Sequence, residues 1–216
     1  MMLGRFFLFS GVKMNEQIND TKAVCADLGS ATLNRDPTSK RDDPMTLFLS
    51  EESLSRHREY HRRIRVKYSI LEKSEMLLNS TDIHKIPWQK IDKDLKAEAF
   101  ALLSEYTLHT AFFASFAEKK SDRLPAVIDG VGSASQLLNK LFRLGKNDND
   151  GGFLVILRGK HSIAPARIFP PYRELCSATP LLAVDLYEHA YFSDYGFERE
   201  RYLYAALSHL DLNLLR

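Results

Sequence analysis

The chain has 216 residues, of which 44% are hydrophobic and 27% are charged, and its formal net charge at pH 7 is +2. This length can bury a sizeable core in one or two compact units, and so small a charge does not by itself indicate nucleic-acid binding. Two cysteines, Cys25 and Cys176, lie far apart and outside any CxxC motif, which argues against a disulfide framework and a zinc ribbon.

The N-terminal region, residues 1–45, predicts a leader followed by a polar arm. Residues 1–13 are rich in Phe and contain two basic residues, and no acidic residue precedes Glu16. This leader is too short to span a membrane and fits a mitochondrial targeting segment. A disordered leader without function would have the same composition. Residues 14–45 are rich in Asn, Asp, Thr, Ser and Lys, which is typical of an extended or disordered arm.

Two long helices are predicted next, within a helical domain of residues 46–120. Ser50 is a good N-cap, two acidic residues follow it, and nothing breaks the helix before about Leu78. Asp92 opens a second helix that continues to about Glu118 on a stripe of apolar residues. Because a short polar loop joins the two helices, we expect them to form a long antiparallel hairpin.

Residues 121–216 predict an α/β C-terminal domain with a small antiparallel sheet. Short apolar runs bounded by glycine-rich turns are typical of strands, and longer periodic runs are typical of helices. A helical hairpin followed by such a sheet gives an α+β fold. The predicted elements in order are a helix from Gly132-Ser133 to about Leu144, strands near 153–157, 162–168 and 181–186, and a last helix over about 198–212.

Several histidines lie in patterns that allow more than one interpretation. His57 and His61 are four residues apart, so they share one face of the first helix as a metal pair or as solvated polar residues. His109 lies on the apolar stripe of the second helix, as a hydrogen-bonded core residue or a ligand. Asp185 and His189 follow the third strand, and a carboxylate leaving a buried strand needs a charged partner. Imidazole nitrogens with a carboxylate and no thiolate suit iron or manganese better than structural zinc.

Together these residues resemble the iron/manganese superoxide dismutases from about residue 44 to the C-terminus. The resemblance is carried by three segments that match the surroundings of the family's ligands: LSEESL at 49–54, LHTAFF at 108–113 and DLYEHAY at 185–191. It implies the family's α+β fold and disproportionation of superoxide to peroxide and oxygen. It also implies one iron or manganese ion, held by His57, His109, Asp185 and His189.

The resemblance implies a dimer as well. In the family, a glutamate just before the last ligand reaches across a two-fold axis to the partner's ligand histidine, and Glu188 matches that position. His61 matches the family's gateway histidine, although Phe192 replaces the tyrosine that usually meets it from the other subunit. The partner could be a second copy of the chain or a paralogue.

Groups around the expected ligands depart from the family pattern. Arg65 stands where the family has its active-site tyrosine, and Tyr187 replaces a tryptophan of the site wall. Glu105 occupies one of the two positions from which the family supplies a glutamine to the metal's water, and residues 151–182, the other origin, contain no glutamine. His61, Arg65 and Glu105 are therefore the predicted catalytic positions. We expect weak turnover, because an ionised carboxylate only accepts hydrogen bonds and a guanidinium cannot relay a proton.

Two functions fit these residues. The first is a divergent, weakly active superoxide dismutase. The second is a catalytically impaired structural subunit, since superoxide-dismutase-like proteins occur in mitochondrial small ribosomal subunits. A mitochondrial leader, the polar arm and an arginine-rich first helix are compatible with contacts to ribosomal RNA or ribosomal proteins, and no membrane association is expected. The same arginines are also compatible with a solvated helix face; they are Arg56, Arg58, Arg62, Arg63 and Arg65.

Overall fold

A computed structural model of the chain describes residues 43–74, 78–118, 123–146 and 151–215. The predicted leader and nearly all of the polar arm lie outside the described residues, and so does the predicted domain boundary after residue 120. Residues Asp42–Arg216 form one compact unit. Its helices precede a small antiparallel sheet with further helices, so the predicted α+β fold is confirmed.

Two long helices make up the N-terminal part of the unit and pack against each other. Helix α1 spans Glu51–Ser74 and helix α2 spans Lys93–Ala114. Both begin where the sequence predicts, because the side chain of Ser50 accepts a hydrogen bond from a backbone N–H of α1 at 3.2 Å and that of Asp92 accepts one from α2 at 3.0 Å. Such N-caps satisfy donors that have no partner within the helix.

Helix α2 ends at Ala114, four residues earlier than predicted, because the chain beyond it pairs with other elements. Ser115 is fully buried, and its hydroxyl donates to the carbonyl of Ala111 at 2.6 Å. The same hydroxyl accepts the N–H of Ala183 at 2.8 Å, and the carbonyl of Ser115 accepts the N–H of Asp211 at 2.8 Å. Ser115 thus joins α2 to the sheet and to the C-terminal segment.

The sheet has three antiparallel strands in the order β2-β1-β3. Strand β1 spans Phe153–Arg158, β2 spans Ile163–Ile168 and β3 spans Thr179–Asp185. The register places Phe153, at the start of β1, opposite Asp185, at the end of β3. Asp185 therefore lies beside the glycine-rich segment that precedes β1.

Three shorter helices complete the described fold: α3 at Ala134–Lys146, α4 at Glu188–Tyr195 and α5 at Arg199–Ser208. Helix α3 runs two residues past its predicted end. The sequence predicted one closing helix, whereas the structure has α4 and α5 separated at Gly196, whose φ of 54° ends α4. Helix α1 packs against α4, and α2 packs against β3, so four elements meet at one place.

The apolar side chains of the helices and of the sheet belong to one buried cluster. Leu103, Leu108 and Phe112 enter it from α2, and Phe153 and Leu154 enter it from β1. Removal of this apolar surface from water is the main force that holds the two parts together. Within the described ranges, no helix is both long enough and apolar enough to cross a membrane.

Candidate metal centre

The four predicted ligands come from four elements and meet inside the unit. His57 lies on α1, His109 on α2, Asp185 at the end of β3 and His189 on α4. Each offers one donor atom, and these atoms all lie within 4.8 Å of one another. The Nε2 atoms of His57, His109 and His189 are 3.1, 3.4 and 3.1 Å from Oδ2 of Asp185.

These close approaches are not hydrogen bonds. Nε2 of His57, Nε2 of His109 and Oδ2 of Asp185 are buried and have no hydrogen-bond partner among the described residues. A buried polar atom without a hydrogen-bond partner destabilises the folded state by about 1–3 kcal/mol. Three such atoms directed at one point therefore indicate a cation site. Donors bound at about 2.1 Å to one metal lie roughly 3.0–3.6 Å apart, and the three distances from Oδ2 of Asp185 to the imidazole nitrogens fall in this range. The residues therefore fit a single metal ion.

Hydrogen bonds behind the donors hold them in the orientation that a metal requires. Nδ1 of His109 donates to the carbonyl of Glu105 at 2.7 Å. Since a carbonyl only accepts, the proton is on Nδ1 and the Nε2 lone pair faces the cluster. Oδ1 of Asp185 accepts the N–H of Tyr187 at 2.8 Å, which leaves Oδ2 free. The Tyr202 hydroxyl donates to the carbonyl of Asp185 at 2.8 Å and anchors the end of β3.

The charges of two of the buried donors, His57 and Asp185, also suit a metal. Burial, only partly offset by the neighbouring carboxylate, lowers the pKa of His57, so this imidazole stays neutral. Burial acts to raise the pKa of Asp185, but the three imidazoles outweigh it and hold that pKa well below its usual range. Neutral imidazole and ionised carboxylate are the forms that bind metal ions.

Three of the four ligand side chains are buried, and the fourth is partly exposed. The side chains of His57, His109 and Asp185 are at most 2% exposed, whereas that of His189 is 35% exposed. An open cleft of about 420 Å³ reaches the cluster at this side. Small molecules can therefore enter the cleft beside His189. The cleft is lined by Arg56, His57, Glu59, Tyr60, Arg63, His189 and Ser193.

His61 and Arg65, two of the predicted catalytic positions, differ in their contacts with the ligand residues. The ring of His61 lies 6.0 Å from that of His109, and its Nε2 is 3.2 Å from the hydroxyl of Thr110. Burial, assisted by the nearby imidazole of His109, lowers the pKa of His61 to about 4, so the ring is neutral at neutral pH. Arg65 forms an ion pair with Glu72 at 2.7 Å, and none of its described interactions involves a ligand residue.

Tyr60 is a site residue that was not predicted from the sequence. Its ring lies 4.6 Å from the ring of His189 and 5.3 Å from that of His109. Its hydroxyl is 3.4 Å from Oε2 of Glu105, the third predicted catalytic position. Burial raises the pKa of Glu105 and that of Tyr60. Spacing along the sequence could have indicated Tyr60, because a residue three positions after His57 lies on the same face of α1.

Tyr187 forms another wall of the centre, where the family resemblance implies a tryptophan. Its ring is stacked on that of His189 at 5.8 Å, and its hydroxyl is 2.9 Å from the hydroxyl of Tyr172. Gly151 lies directly against this ring, since a Cβ added there would be 2.1 Å from Cδ1 of Tyr187. Gly151 is therefore a packing requirement of the site.

Comparison with known proteins agrees with this geometry. Residues 126–215 match the sequence model of the iron/manganese superoxide dismutases, C-terminal domain. A search of curated proteins finds no match. The matched segment contains Asp185 and His189, and the fold brings His57 and His109 to them from outside it. The part of the chain from residue 126 to residue 215 therefore belongs to the iron/manganese superoxide dismutase family.

Proposed function

We propose that the chain binds one iron or manganese ion through His57, His109, Asp185 and His189 and disproportionates superoxide weakly. The observation that carries this proposal is the convergence of buried donors without hydrogen-bond partners on one point. Bound iron or manganese would supply one-electron oxidation and reduction of superoxide in alternation.

The protein's own residues would attract the superoxide anion to the centre and exclude water from its buried side. Phe112 and Phe113 pack against the ring of His57, with ring centroids 4.8 and 5.1 Å away, so water is kept from that side. Arg56 and Arg63 line the cleft and supply positive charge along the approach of an anion. Both form ion pairs with α1 glutamates, which limits their attraction and is consistent with modest turnover.

Metal analysis together with a superoxide assay on the purified full chain tests the proposal. Protein prepared with iron or manganese should contain about one ion per chain, as the single donor cluster requires. Its dismutase activity should exceed that of the metal-free protein and fall below that of an ordinary family member. Failure of the protein to retain either metal would contradict the proposed function.

Glu105→Gln should raise superoxide turnover by roughly tenfold without changing metal content. Glu105 is half-buried beside the centre, and when ionised it repels an incoming anion and cannot donate a hydrogen bond. Glutamine is neutral and both donates and accepts. The assay is steady-state superoxide consumption normalised to bound metal, and Glu98→Gln, an exposed change on the same helix, is the matched control. Equal rates for the two variants would show that Glu105 does not limit turnover.

A dimer is the second part of the proposal. The family resemblance implies a dimer, and His189 is the exposed ligand. Glu188 beside it is also exposed. On the same surface, the rings of Phe192 and Phe197 lie 5.2 Å apart and are 43% and 90% exposed. A second copy placed on this face would cover the aromatic pair and give His189 a carboxylate partner.

Glu188→Ala should loosen this dimer and weaken metal affinity by about tenfold to a hundredfold, because a carboxylate that orients a ligand histidine is lost. Sedimentation equilibrium and metal titration measure the two effects. Glu174→Ala, an exposed glutamate in another segment, controls for loss of one negative charge. A wild-type monomer at micromolar concentration that holds metal fully would show that the site is complete within one chain.

The second candidate function is that of a structural subunit, for example in a mitochondrial ribosome, and the substitutions at Arg65 and Glu105 favour it. The described arginines of α1 are less available for RNA than their number suggests, because all five form ion pairs with acidic residues. Co-sedimentation with a ribonucleoprotein particle that is lost at high salt would support this function. A free dimer in native mitochondrial extract at low salt would oppose it. The pairs are Arg56–Glu52, Arg58–Asp43, Arg62–Glu59, Arg63–Glu59 and Arg65–Glu72.

A further inference from the structure

Two tyrosines flank the exposed ligand His189, and the surrounding residues hold them differently. Tyr187 is stacked on His189, its hydroxyl is 2.9 Å from that of Tyr172, and its ring rests on Gly151. The hydrogen bond to Tyr172 and the contact with Gly151 hold this ring in place. Tyr187 is therefore a fixed wall of the centre.

Tyr60, on the other flank, is held loosely. One face of its ring is directed at His189 and His109, but the residue is 39% exposed and lines the open cleft. Its hydroxyl reaches Glu105 only at 3.4 Å, well beyond the usual O–H···O distance of about 2.7–2.8 Å. Because exposed side chains change rotamer rapidly, the ring can leave its place over the ligands without a large rearrangement of the chain.

We propose that Tyr60 is a gate of the metal centre: its ring covers the ligands at the open side, and small inorganic anions enter only when it turns away. Arg56 and Ser193 line the same cleft, and the positive charge of Arg56 suits a small anion. In this role Tyr60 is a residue that controls access and does no chemistry itself. The proposal rests on the proposed metal site.

The test is the rate at which azide, a small linear anion, binds to the iron-loaded full chain, followed by stopped-flow absorbance. Tyr60→Ala removes the ring and should raise the association rate constant by about tenfold. Tyr60→Trp enlarges the ring and should lower the rate constant by about threefold, which a general loosening of the fold would not do. Tyr60→Phe removes only the weak hydrogen bond and should change the rate constant by about twofold at most.

Tyr204→Ala is the matched control, because Tyr204 is 72% exposed on α5 and does not line this cleft; it should leave the azide rate unchanged. Iron content is measured in every sample before mixing. Wild-type protein without bound iron would overturn the proposed function, and the gate with it. Iron-loaded protein in which Tyr60→Ala and Tyr60→Trp both bind azide at the wild-type rate would overturn the gate alone. A Tyr60→Phe rate equal to that of Tyr60→Ala would assign the barrier to the hydroxyl and overturn the role of the ring.

Discussion

His109→Ala should leave the protein without bound metal and should lower its melting temperature. His109 supplies one of the four donors, and its Nδ1 bond to the carbonyl of Glu105 fixes the direction of that donor. Loss of a ligand removes the stabilisation that metal gives to the folded state, which is about 2.7 kcal/mol when metal is present at a hundred times its Kd. Metal content and thermal unfolding with and without added metal measure both effects.

Two comparisons separate loss of the ligand from damage to the core. His109→Gln keeps most of the side-chain volume and should lose metal while unfolding closer to the wild-type temperature than His109→Ala, because a smaller cavity is left. His161→Ala, at an exposed histidine in the turn between β1 and β2, should change neither property. A His109→Ala protein that still holds one metal ion per chain would refute the proposed ligand set.

Gly151→Ala should destabilise the protein by about 1–3 kcal/mol and weaken metal binding. The new methyl group would lie 2.1 Å from Cδ1 of Tyr187, so the ring must move. Its movement would break the contact with Tyr172 and disturb the N–H of Tyr187 that holds Asp185. Denaturant unfolding and metal titration test this.

The matched control for that change is Gly159→Ala. Gly159 lies in the turn after β1, and a Cβ there would meet Ser162 Oγ at 3.6 Å, an ordinary contact. The control variant should therefore unfold within about 0.5 kcal/mol of wild type. If Gly151→Ala were as stable as Gly159→Ala and bound metal equally well, then Tyr187 would not be a fixed wall.

The helix starts and the ligand cluster were predictable because they depend on local chemistry and on residue type. Ser50 and Asp92 are N-caps whatever the helices later pack against. The resemblance depended on the spacing of four residues that together suit one metal ion, namely His57, His109, Asp185 and His189. The structure brings all four together.

The surroundings of the cluster could not be predicted, since they depend on where long side chains turn after packing. Arg65 matches a family tyrosine in position, but its guanidinium turns to Glu72 seven residues further along α1. Tyr60 matches nothing that the resemblance implies, yet its ring covers two ligands. Helix α4 was not predicted as an element because it is only eight residues long, too short to show a clear period.

The hydrogen bond between Ser115 and Ala183 has a consequence for the behaviour of the chain at high concentration. Strand β3 lies at an edge of the sheet, where free backbone groups could template strands from other molecules. The Ser115 hydroxyl occupies the Ala183 N–H, and α2 packs against β3. At the opposite edge, the carbonyl of Ile163 accepts the N–H of Asp129 at 2.9 Å. Both borders of the sheet are thus partly blocked against fibril growth.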